Sequence, residues 1–132
     1  MRTLVACLVA LGLAGCGQGG DQTAVRRVTA GFVTAYEAHS GGRACALLAR
    51  DTRAELVQEE GKACADAVTG LQLEGGAVVR VDVEITNARV VLSSGESAFL
   101  SRTTNGWRLS ALGCRPDRGP ASHVPLDCEL EA

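Results

Sequence analysis

Six cysteines are the side chains with the widest chemistry in this chain: Cys7, Cys16, Cys45, Cys64, Cys114 and Cys128. A thiol can hold a metal, exchange electrons, accept a covalent group or pair with a second thiol. Spacing narrows the choice. No C-x-x-C occurs, which removes the usual redox and zinc patterns. The two histidines, His39 and His123, have no helical partner four residues away, so no metal site is expected. The last four cysteines are an even set and read as two disulfides. Four cysteines allow three pairings, and sequence alone does not choose among them. Chain proximity favours Cys45–Cys64 and Cys114–Cys128, each closing a loop of roughly 15–20 residues worth ~3 kcal/mol.

Cys16 has a different setting. It follows Leu13-Ala14-Gly15 at the end of an apolar run, Leu4 to Leu13, that starts after Arg2. A charged start, an apolar middle and small residues at the end make a secretory signal. The run is too short to span a membrane, which takes ~20 residues. Leu13-Ala14-Gly15-Cys16 resembles the lipobox of bacterial lipoproteins. The resemblance implies a diacylglycerol on the Cys16 thiol and cleavage before it, with Cys7 lost in the signal. It also implies export to the outer face of the cytoplasmic membrane, a setting where disulfides persist. Two or more acyl chains would anchor the chain stably. Gly17 to Thr23 reads as a flexible tether, reaching at most ~25 Å at ~3.5 Å per residue. The expected organisation is a signal over 1–15, a lipidated cysteine and tether over 16–23, and one domain over 24–132.

Composition agrees with one domain. The chain has 132 residues, 46% of them hydrophobic, enough for a core but not for two domains. Thirteen basic residues face 15 acidic ones, and Arg2 leaves with the signal. No basic stripe remains, so nucleic acid is not an expected partner. Gly17-Gln18-Gly19-Gly20 precedes no strand–helix unit, and no G-x-S-x-G is present. No cofactor is expected. Asp82 and Glu84 beside Arg80 read as the solvated face of a strand rather than an acid–base pair.

The elements that position these residues follow from periodicity. Val25, Val28, Phe32, Tyr36 and His39 keep helical spacing, predicting a helix over 24–40. Asp21 or Thr23 caps its start and Gly41-Gly42 its end. A second helix is expected over 43–49. Thr52-Arg53-Ala54-Glu55 has capping-box spacing and starts a third. Gly61 interrupts that helix, and a fourth short one follows over 62–68. From Ala77 the period becomes two: Val79, Val81, Val83 and Ile85 alternate with Arg80, Asp82 and Glu84. Further strands are expected over 88–92, 96–103 and 107–112, the last two joined by an Asn105-Gly106 hairpin turn. From Gly113 the tail carries Pro116, Pro120 and Pro125 and reads as a loop.

Helices followed by a meander predict an α+β domain, with the helices on one face of a four-stranded antiparallel sheet. That order looks like an NTF2-like or SnoaL-like cone, or a cystatin-like domain. More closely, the chain resembles a group of small actinobacterial lipoproteins of uncharacterised function. The resembling residues are Phe32-Val33-Thr34-Ala35-Tyr36, Ala44-Cys45-Ala46-Leu47-Leu48, Thr52-Arg53-Ala54-Glu55-Leu56, Phe99-Leu100-Ser101, Gly106-Trp107-Arg108, Gly113-Cys114 and Asp127-Cys128. The resemblance implies fold and location and transfers no active site. A cone implies a pocket between sheet and long helix, which Phe32, Tyr36, Phe99, Arg102 and Trp107 would line. In isomerases of that shape His39 would be the base and Tyr36 the donor, helped by Arg102 or Glu96. The plainer expectation is a non-enzymatic lipoprotein that binds a small apolar ligand or an envelope protein, with a scaffold or regulatory lipoprotein as the other alternative.

Overall fold

Four helices precede six strands in the computed structural model, which describes residues 18–116 and 126–132. The expected signal, Cys16, Pro120, His123 and Pro125 lie outside the described residues. The helices are α1 (Gln18–Glu37), α2 (Gly41–Ala46), α3 (Arg50–Glu60) and α4 (Cys64–Thr69). The strands are β1 (Val78–Val83), β2 (Asn87–Leu92), β3 (Ser97–Thr103), β4 (Gly106–Pro116), β5 (Leu126–Asp127) and β6 (Leu130–Glu131).

Helix α1 buries Val25 and Phe32 and half-buries Val28 and Tyr36, as the spacing predicts; it also buries Thr29 and Ala35, while His39 past its end is exposed. It begins at Gln18, not Ala24, so the expected tether is helical from residue 18 onward. Gly19 and Gly20 are weak helix formers. What holds them is tertiary: Asp21 is bonded to Trp107 and Arg102. The helix also stops on His39 rather than on glycine. His39 takes φ 53, and the Ser40 N–H reaches back to Ala35 O at 2.8 Å. Histidine is among the few non-glycine residues that tolerate this left-handed turn.

Helix α3 starts at Arg50, two residues before the expected capping box. Thr52 does not cap it. Its side chain is buried, and Thr52 Oγ1 donates to Ser110 O of β4 at 3.2 Å. Helices α2 and α4 are joined by the Cys45–Cys64 disulfide. They come so close that a Cβ on Gly41 would lie 1.9 Å from Ala65 O. Gly41 therefore opens α2 where only a residue without a side chain fits.

The sheet has the order β1-β2-β3-β4-β5, with β6 also paired to β4, all antiparallel. The first strand corrects the sequence alternation. Val81 and Val83 pack on the core as the alternation predicts, but a bulge between Val78 and Arg80 inserts Val79, which is 58% exposed, and Val78 packs on the core in its place. Ile85 lies past the strand and is 89% exposed.

The tail corrects the expectation of four strands. β4 runs on to Pro116, and residues 126–131 return along its edge as β5 and β6. The Cys114–Cys128 disulfide fastens them there. Farther along the same edge, Leu109 N–H donates to Leu47 O at 2.9 Å and Ala49 N–H donates to Leu109 O at 2.7 Å. Three separate segments thus complete one side of β4. Helix and strand side chains share a single core, with Phe32, Leu56, Val68, Val90, Leu100, Leu109 and Leu130 at its centre.

Candidate functional site

His39 does not line the cavity that Tyr36 borders. His39 is exposed past the end of α1. The Tyr36 hydroxyl is occupied: it donates to Leu71 O and accepts from Leu73 N–H at 3.3 Å. It fastens the 71–73 loop to the helix. Beside it, Phe32 and Tyr36 stack with ring centroids 6.2 Å apart. The space they line with Leu92 and Leu112 is about 20 Å³. That volume holds about one water.

The five residues expected around one pocket occupy three places. Phe32 and Tyr36 line this small inner cavity. Trp107 is 4% exposed and Arg102 lies over its ring, 4.9 Å from the centroid. Both bond the Asp21 carboxylate, Trp107 Nε1 at 3.2 Å to Oδ1 and Arg102 to Oδ2. The Trp107 hydrogen bond foremost, and then Arg102, hold the Asp21 carboxyl below its ordinary value. This cluster pins the start of α1 to the β3–β4 hairpin. Phe99 is on the opposite face of the sheet, away from the helices.

Glu96, the strand residue expected with Arg102 to help His39 and Tyr36, accepts hydrogen bonds from a neighbouring loop and from Arg115. Its carboxylate is 2% exposed. It accepts the N–H of Glu74 at 3.0 Å, the N–H of Gly75 at 3.2 Å and Arg115 Nη2 at 2.7 Å. Arg115 also meets Glu74 at 2.8 Å. The Glu96 carboxylate, ahead of Glu74, raises the Arg115 guanidinium above its ordinary value. Among the described residues, every buried side-chain nitrogen and oxygen has a partner.

Among the described residues, the open surface with the richest chemistry is the sheet face away from the helices. Ala88, Val90 and Leu92 of β2 point inward, so Asn87, Arg89 and Val91 point outward. In β3, Ala98 and Leu100 are buried and Phe99 faces out. The register lines up Asp82, Arg89, Phe99, Ala111 and Glu131 across β1, β2, β3, β4 and β6. Arg89 sits 6.0 Å from the Phe99 ring centroid, and its Nη2 donates to Ser97 Oγ at 3.1 Å. Two grooves adjoin at Phe99 and Asn87. One, of about 620 Å³, runs toward Ser101, Ser110 and Glu131. The other, of about 250 Å³, runs toward Asp82 and Glu84. The face combines a half-buried ring, a guanidinium and several hydrogen-bonding side chains, residue types that recur where proteins bind one another.

Sequence reading had Phe99 but placed it inside, and it missed Arg89 and Asn87. The signal was present but short: Asn87 to Val90 alternates polar and apolar before Val91 breaks the period. A third groove, also about 620 Å³, lies between α1 and α2; Ala30, Gly31, Ala35 and Leu47 line it together with Arg27, Thr34, Ser40 and Arg43, and its surface is mainly apolar. Arg80 and Asp82 form an exposed ion pair at 2.8 Å, as a solvated strand face would. Among the described residues no three His, Cys, Asp or Glu side chains gather to hold a metal, and no helix is long and apolar enough to cross a membrane. Comparison with family models, with curated proteins and with solved structures finds no match.

Proposed function

We propose that the protein is a lipoprotein anchored through Cys16 at the outer face of the cytoplasmic membrane. Its domain, an NTF2-like or cystatin-like arrangement of helices on a sheet, binds an envelope protein through the sheet face away from the helices. The observation that carries this reading is the cross-strand pair Arg89–Phe99, at the junction of two open grooves. Aromatic and arginine side chains dominate binding energy at protein interfaces. The two disulfides support an oxidising compartment. The inner cavity, with room for about one water, favours a protein partner over a small apolar ligand.

Two measurements test the reading. The wild-type chain should fractionate with membranes and Cys16→Ser should not. Persistence of Cys16→Ser in the membrane fraction would remove the anchor. A photo-reactive phenylalanine analogue at position 99 should give a discrete adduct in the native envelope. The same analogue at Val57, exposed on α3, should not. Equal labelling from both positions would remove the sheet face as the binding surface.

A further inference from the structure

The end of the domain from which the chain leads back to Cys16 is marked by contacts. Asp21, in the first turn of α1, bonds Trp107 and Arg102. The Arg102 backbone N–H donates to Thr86 O at 2.8 Å. Thr86 belongs to the β1–β2 turn, and Trp107 is the second residue of β4, just after the β3–β4 turn at 104–105. The register agrees: Val83 faces Ala88, Asn87 faces Ser101, and Thr103 faces Gly106. The start of α1 and both turns therefore share one end of the molecule.

At that end stands Ile85, 89% exposed and the most exposed large apolar side chain among the described residues. A single exposed isoleucine is ordinary in itself. Its place beside the departing N-terminus is what gives it meaning. Cys16 is two residues from Gln18, a span of at most ~7 Å. A lipid on Cys16 would hold this end, and no other, against the bilayer. Arg108 lies near the same turn, with Nη1 bonded to Trp107 O at 2.8 Å, and the Asp21 carboxylate is already paired with Arg102.

We infer that this end is the membrane-facing surface of the domain, and that Ile85 inserts at the boundary of lipid headgroups and acyl chains. The occupant is the surface of a phospholipid bilayer, and the inference rests on the anchoring of Cys16 proposed above. Apolar side chains at such a boundary add to a lipid anchor and fix orientation. Helix α1, at ~1.5 Å per residue, carries the other end of the domain some 30 Å away. The β2–β3 turn, with Ser94 exposed, belongs to that far end.

The test uses the full chain, processed in cells and reconstituted into phosphatidylcholine–phosphatidylglycerol vesicles. Ile85→Cys and Ser94→Cys each receive an environment-sensitive fluorophore, and the vesicles carry a nitroxide lipid quencher. Expected are a blue shift and loss of most emission at position 85, with the position 94 label unaffected. If the chain floats with the vesicles and position 85 stays unquenched, or both positions quench alike, the orientation is overturned and the anchor stands. If the chain does not float with the vesicles, the anchor fails and the orientation falls with it.

Discussion

Asp21 Oδ1 accepts a hydrogen bond from Trp107 Nε1 at 3.2 Å across 86 positions of sequence. The bond joins the first turn of the longest helix to the start of the longest strand. The carboxyl is held below its ordinary value of 3.8, chiefly by this bond and then by Arg102. A lowered folded-state value means stabilisation that is present above the unfolded value and lost as pH falls through the folded one. Asp21→Asn should therefore lower the thermal midpoint by a few degrees at neutral pH. The gap to wild type should close in acid well below 3.8. A gap that stays constant across the acid range would show that the Asp21 charge contributes nothing.

The Tyr36 hydroxyl holds two backbone groups of the 71–73 loop. Tyr36→Phe removes only the oxygen. It should cost about 1–3 kcal/mol, since Leu71 O and Leu73 N–H lose their partner. Urea unfolding with an unchanged slope measures this. A variant as stable as wild type would mean that the loop finds water instead.

Glu96 collects the Glu74 and Gly75 N–H groups and Arg115 in a nearly closed position. Glu96→Ala should cost about 3 kcal/mol by stranding these donors. Glu96→Gln keeps an acceptor and should recover roughly half of that. Amide exchange at Glu74 and Gly75 should speed up most in Glu96→Ala. Equal exchange in all three proteins would contradict the role assigned to the carboxylate.

The Cys45–Cys64 bond closes a separation of 19 residues. The double variant Cys45→Ala with Cys64→Ala should lose about 3 kcal/mol on the loop-entropy account. Reductant should weaken the wild type further than this variant, because Cys114–Cys128 also opens in the wild type alongside Cys45–Cys64. Equal sensitivity to reductant would mean that the Cys45–Cys64 bond contributes no stability.

The helices and the meander were legible because they rest on local pattern. Val25, Val28, Phe32 and Tyr36 share a face at helical spacing; the β3–β4 turn falls one residue before the expected Asn105-Gly106, at Thr104-Asn105, with Gly106 already paired to Thr103. Both disulfide pairings follow chain proximity. What failed was decided by partners far away in sequence. Thr52 has the pattern of a cap, yet its hydroxyl is drawn to Ser110. Gly19 and Gly20 look like tether, yet Asp21 has Trp107 to hold. Val79 fits the alternation, but one inserted residue moves it to solvent. β5 and β6 are two residues each, too short to show any period. Phe99 was legible as a strand aromatic, but which face it takes depends on register, which sequence leaves open.

The inserted Val79 also bears on how the protein behaves when crowded. Among the described residues, β1 is the unpaired border of the sheet, while the border at β4 is closed by residues 47–49, β5 and β6. An open border of valines invites strand-to-strand stacking between copies. Here the bulge breaks its regular spacing, Arg26 donates to the Val78 carbonyl at 3.1 Å, and the Arg80–Asp82 pair puts charge on its outer side. The irregularity that spoils a clean period-two reading is thus a guard against intermolecular sheets.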